Sequence, residues 1–191
     1  MAEYFRIQPA YVSDVRGPEY VSDPPSSPWV LGQLGNYNVV KQPGPSSTPG
    51  VLTGREVGYV YVLCDSTMST SPFPNCVLWW ADRAAKKVTT AATNRGARAG
   101  VYPSNGDGSK TAGIFMAVKG PHTVKLVDAP TAGAASYTTN GLYVIPSATA
   151  GKADVLAAGT APTYPPLGTT IGVGNAADAT VVCELTIADL P

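Results

Sequence analysis

The sequence predicts an all-β fold: a small β-sandwich or barrel of short antiparallel strands, preceded by an extended Pro-rich N-terminal arm. Three observations predict it. From Gly58 onward, apolar residues recur at alternate positions in short runs, and no run sustains a helical period. Gly, Pro, Thr and Ala turns cut those runs apart at regular intervals. Upstream, Pro9, Pro18, Pro24, Pro25, Pro28, Pro43, Pro45 and Pro49 crowd the first 50 residues, where each removes a donor and drives its predecessor toward extended backbone.

The arm is not a disordered tail by composition. It carries Tyr4, Phe5, Tyr11, Tyr20, Trp29 and Tyr37, and a segment that buries nothing has little use for aromatic rings. They are expected to lie on the protein's own body or on a neighbour. Tyr11-Val12-Ser13-Asp14 recurs as Tyr20-Val21-Ser22-Asp23. The repeat is either coincidence or a pair of short edge strands that add to a sheet, with Tyr and Val on opposite faces. Gln42 to Gly50 reads as a linker, which divides the chain into residues 1–50, arm and linker, and residues 51–191, a β-rich body.

The body opens with Arg55 to Cys64, where Val60 and Val62 alternate with Tyr59 and Tyr61. Next comes Cys76 to Ala81 with adjacent Trp79 and Trp80, which point to opposite faces of a strand. One ring is expected in the core; the other faces a second buried surface, such as a subunit contact, or stands half exposed. Ala81 to Arg98 has apolar positions at helical spacing, yet alanines alone bury little area, and Lys87-Val88-Thr89-Thr90 is strand-like, so a hairpin return is expected. Ile114, Met116 and Val118, then Val124 and Leu126, read as two strands joined by a tight turn at Gly120-Pro121. Past residue 128, turns of small residues separate short strands at Leu142 to Ile145, Ala153 to Leu156 and Thr169 to Val173. Val181, Cys183, Leu185 and Ile187 alternate with Thr180, Val182, Glu184 and Thr186, a half-buried closing strand.

Composition narrows the function classes. The 191 residues are 44% hydrophobic and suffice for one ordinary core. The 13 basic and 13 acidic residues cancel and no basic cluster exceeds Lys86-Lys87, so nucleic acid is not an expected partner. No apolar stretch approaches the roughly 20 residues of a membrane span, and the first residues lack a secretion leader, so no membrane is expected and the product stays in the cytoplasm that made it. With only 14% of positions charged, the surface is poor at self-avoidance, as befits a protein working inside an assembly.

Chemistry is not expected. Cys64, Cys76 and Cys183 show no C-x-x-C spacing and read as buried free thiols, although a bridge between Cys64 and Cys76 across their loop stays geometrically open. A single histidine, His122, leaves too few ligands for zinc, and its place after Gly120-Pro121 predicts a solvated or capping side chain. No nucleophile elbow, P-loop, dinucleotide fingerprint or zincin motif occurs. Asn105-Gly106-Asp107-Gly108 reads as a turn, because no distal Glu follows to complete a calcium loop. Arg95 and Arg98 read as a solvated loop, or as partners for a carboxylate on another subunit. No enzyme activity, cofactor or metal is therefore expected.

Several segments in order resemble the capsid decoration, or cement, proteins of tailed bacteriophages: Tyr59-Val60-Tyr61-Val62, Val77 to Asp82, Val88-Thr89, Ala99-Gly100-Val101, Gly113 to Gly120, Thr131-Ala132-Gly133, Ile171-Gly172-Val173 and Val181 to Ile187. The resemblance covers the body and implies a β-rich virion protein on the outer surface of the head. Its partners would be the major capsid protein and its own copies, commonly as a homotrimer, and it would reinforce the shell without catalysis. Within that reading the arm is the clamp, and the interface candidates are Tyr4, Phe5, Tyr11, Val12, Tyr20, Val21, Trp29, Val30 and Leu31. A tail or fibre component with a host-recognition role is the alternative.

Overall fold

Alternation of apolar and polar residues becomes strand after strand in the folded chain. The structure, a computed structural model, describes residues 3–8, 15–16, 34–41, 51–102 and 113–187. Its strands are β1 (Glu3–Gln8), β2 (Val15–Arg16), β3 (Leu34–Lys41), β4 (Val51–Cys64), β5 (Val77–Asp82), β6 (Lys87–Thr89), β7 (Arg98–Val101), β8 (Gly113–Lys125), β9 (Asn140–Pro146), β10 (Ala153–Val155), β11 (Gly168–Asn175) and β12 (Thr180–Thr186). One short helix, α1 (Ala135–Thr138), precedes β9. The fold is all-β, as expected.

The pairings run in two closed cycles that share β8. In ring one, β4 lies antiparallel to β8 with Val60 opposite Met116, and parallel to β6 with Cys64 opposite Val88. Antiparallel β6–β5, β5–β7 and β7–β8 pairs complete it. In ring two, β8 pairs with β12, β12 with β11, β11 with β9 and β9 with β10, all antiparallel. A parallel bridge from Leu126 to Ala153 closes that cycle, and the Val127 N–H donates to the Ala153 carbonyl at 2.9 Å. Closure matters because a sheet without edges offers no template for stray pairing.

β8 passes from one ring to the other without a break. The Gly120-Pro121 pair does not make the expected hairpin. Gly120 takes a positive φ of 88°, a conformation that suits glycine, and the strand bends and continues. Pro121 sits opposite Glu184 of β12; on the other edge the ladder to β4 ends at Lys119, and the next backbone donor used is Lys125. The missing proline donor therefore costs nothing. Inward alternation carries across the bend, so Ile114, Met116 and Val118 are followed by His122, Val124 and Leu126, all buried.

Both faces of β5 are covered. Trp79 and Trp80 are each buried within this chain, so neither ring stands half exposed or needs a neighbouring subunit to cover it. The hairpin reading of Ala81 to Arg98 holds: β5 turns back into β6, and only Ala92–Asn94 forms a single helical turn. Gly168 marks a tight backbone contact between strands, since a Cβ there would lie 1.9 Å from the Glu184 carbonyl oxygen. The expected closing strand appears as β12, with Val181, Cys183, Leu185 and Ile187 buried.

From ring one the sheet extends into a flange. The C-terminal half of β4 belongs to the ring, while β3 pairs along β4 from Leu34 opposite Val60 to Lys41 opposite Val51. β1 pairs with β3, and β2 with β1. The Gln42 to Gly50 linker lies outside the described residues, as does the Asn105 to Gly108 turn.

Candidate functional site

Interface candidates were placed by sequence on the arm, and the described part of the arm is this flange. Tyr4 and Phe5 lie in β1, opposite Val40 and Val39 of β3. Tyr11, Val12, Tyr20, Val21, Trp29, Val30 and Leu31 lie outside the described residues. The structure thus brings two of the candidates onto one strand, at the outer end of the sheet.

Among the described residues, that strand is paired along the whole of one edge and at two positions of the other. β3 pairs with β1 along Glu3 to Gln8, whereas β2 pairs only with Phe5 and Arg6. Beyond those two positions no described strand lies along that edge of β1. Such an edge can accept a further strand, with backbone hydrogen bonds supplying affinity and alternate side chains supplying specificity. The flange is also mechanically continuous with the body, because β4 carries both the β3 ladder and the β8 ladder.

Among the described residues, His122 and the three cysteines are buried within the two rings. His122 is not solvated: its inward position on β8, opposite Cys183 of β12, buries the imidazole, and desolvation lowers its pKa to about 4. The signal that would have found it is the alternation through Gly120, which sets His122 in phase with Val118 and Val124. Cys64, Cys76 and Cys183 are free and buried. Burial pushes the Cys64 and Cys76 thiols up to about 12 and raises Cys183 as well. All three are held as poor nucleophiles at neutral pH. Among the described residues no group of three or more His, Cys, Asp or Glu side chains could hold a metal ion.

Arg95 and Arg98 do not form a solvated loop. Arg98 opens β7 and its guanidinium donates to the Pro166 carbonyl, while the Arg95 guanidinium stacks 5.0 Å from the centroid of the Tyr164 ring. Together they strap the segment before β11 onto ring one. Comparison with known proteins returns no match to a family model, a curated protein or a solved structure.

Proposed function

We propose that this chain is a virion structural protein, a capsid decoration protein that binds the assembled phage head and stabilises it by bridging capsid subunits. Its partners in this reading are the major capsid protein and its own copies, as a homotrimer, and it acts without catalysis on the outer surface of the head. The observation that carries the reading is the contrast between a body whose strands pair in two closed cycles and a flange whose outer strand, among the described residues, is paired along one edge only at Phe5 and Arg6. A closed ring gives a neighbour no backbone to pair with, so strand addition is directed to the flange. Load taken up there passes along β4 into the β4–β8 ladder of ring one. A shell under internal pressure opens at subunit junctions, and a bridging molecule adds contact area that must be lost before a junction opens.

Deleting residues 2 to 33 removes β1, β2 and all nine interface candidates while leaving β3 on β4. Purified heads lacking the protein should bind the full chain and lose at least about tenfold in affinity for the truncated one, a change of roughly 1.4 kcal/mol. The truncated body should keep its cooperative unfolding transition. Equal occupancy by the two chains overturns the clamp. Quantitative mass spectrometry of whole particles tests the location: hundreds of copies fit a cement protein, whereas a handful assign the chain to the tail or a fibre.

A further inference from the structure

An open cleft of about 500 Å³ lies at the seam where the two rings meet. Phe73, Pro74 and Asn75 from the loop before β5 line one side, Thr123 and Lys125 of β8 the middle, and Asp178 of the β11–β12 turn with Thr180 of β12 the other side. We propose that this cleft is a carbohydrate site, taking one or two neutral sugar residues of a glycan. The inference goes beyond the head-binding reading and does not depend on it.

The walls are preformed. Asn75 and Ala179, on opposite sides, both adopt left-handed backbone, with φ of 62° and 47°. Each is pinned to the end of the shared strand: the Lys125 N–H donates to the Asn75 carbonyl at 2.8 Å, and the Leu126 N–H to the Ala179 carbonyl at 2.7 Å. The Asn75 N–H in turn donates to the Tyr102 carbonyl at 2.9 Å. A site fixed before binding loses little ordering entropy when it fills.

The lining selects the ligand class. Lys125 and Asp178 carry opposite charges, and both are engaged: the Lys125 ammonium donates to the Asp178 carbonyl, and the Asp178 carboxylate accepts from the Asn175 amide. Their opposite charges cancel, so the cleft carries no net charge to select a phosphate, a nucleotide or a metal cation. Asn75, Thr123 and Thr180 line the cleft, so an amide and two hydroxyls supply donors and acceptors of both kinds. Half-buried Phe73 and Pro74 add an apolar wall beside them. A sugar presents hydroxyl edges to the first set and a C–H face to the second. The volume lies within the ~300–1,000 Å³ range of small-ligand sites, and the openness leaves room for a chain to continue past the bound residue.

The test is a titration of the ¹⁵N-labelled full chain with chitotriose, maltotriose and β-1,4-galactotriose, each to about 20 mM, followed by amide chemical shifts. Sodium phosphate and a Gly-Ser-Gly peptide serve as parallel arms. At least one saccharide should give saturable shifts confined to residues 73–75, 123–125 and 178–180. Binding should weaken at least about tenfold in Thr123→Val, which preserves shape, and in Asn75→Gly, which preserves the left-handed backbone. Absence of saturable shifts with all three saccharides overturns the proposal. So do shifts indifferent to both substitutions, or a response to phosphate or peptide alone.

Discussion

Ring one and ring two share a strand and a closing device, yet they are filled differently. Ring one carries bulk: Trp79 and Trp80 are buried on the two faces of β5, and Tyr102, Met116 and Met68 are buried with the Cys64 and Cys76 thiols. Ring two is aliphatic, with Leu126, Val144, Val155, Leu167, Val181 and Leu185, and admits His122 and Thr170, while ring one buries Thr89 at the end of β6. Thr170 repairs an irregular stretch of β11: its hydroxyl donates to the Thr139 carbonyl at 2.6 Å and accepts from the Leu142 N–H at 3.1 Å. Large rigid rings fill a small barrel with few side chains, so each carries much of the stability. Many small side chains divide the same task, and polar groups can be tolerated among them where they satisfy backbone that the ladder leaves over.

The contrast breaks most visibly at Trp79. Replacing it with alanine should cost about 3–5 kcal/mol, read as a shift of the urea midpoint with an unchanged slope. Its indole Nε1 is buried without a hydrogen-bond partner among the described residues. Trp79→Phe deletes that donor along with part of the ring, and should cost about 1–2 kcal/mol. If the phenylalanine variant loses as much as the alanine one, bulk is not what holds ring one.

Acid should expose ring two. The imidazole of His122 has a folded-state pKa of about 4, below the ordinary value of 6.5, so it remains neutral in the fold while the unfolded chain takes up a proton. Its contribution is therefore full above pH 6.5 and is lost as pH falls toward 4. The loss approaches about 3 kcal/mol, because each pH unit within that window is worth roughly 1.4 kcal/mol. Urea midpoints measured from pH 8 to 4 should slope downward in the native protein and lie flat over that window in His122→Leu. Below it, Asp65 and Asp128 take over. Hydrogen bonds from Thr67 and from the Lys152 ammonium hold these carboxyls under the usual range, so stability drops further once they protonate. A slope that survives His122→Leu would locate the acid sensitivity elsewhere.

What was legible in the sequence was local. The strict alternation of β12 gave its inward face residue by residue, and the small-residue turns past residue 128 located β9 to β11, although Asn140 and Gly141, with the composition of a turn, open β9 itself. Ring closure was not legible, because it rests on parallel pairs between distant segments: Cys64 with Val88, and Leu126 with Ala153. Gly120-Pro121 misled for a physical reason. The dipeptide has the chemistry of a turn, and only the absence of a neighbour needing the Pro121 donor lets the strand run through. The cleft was invisible for the same reason as the closures, since Asn75, Thr123 and Thr180 are brought together by the fold and share no motif. The flange edge was partly legible, through the aromatic residues that sequence assigned to the arm.

The finest difference between the rings concerns the turns that close them. Lys86 ends the β5–β6 turn with a φ of 58°, and its carbonyl accepts from the Leu63 N–H at 3.0 Å, next to the parallel β4–β6 pair. Ala179 ends the β11–β12 turn with a φ of 47°, and its carbonyl accepts from Leu126, the residue of the other parallel bridge. In each ring a left-handed residue aims its carbonyl at the strand that completes the cycle. Glycine relieves that conformation at both sites, for about 0.5–1 kcal/mol. At Lys86 the side chain is only half-buried, so Lys86→Gly should keep most of the gain and raise the unfolding temperature by a few degrees. At Ala179 the residue is only 7% exposed, and deleting its methyl forfeits about 0.8 kcal/mol of burial, so Ala179→Gly should be nearly neutral. Equal gains at the two sites would mean that the Ala179 methyl contributes nothing to ring two, against the view that its stability is divided among small groups.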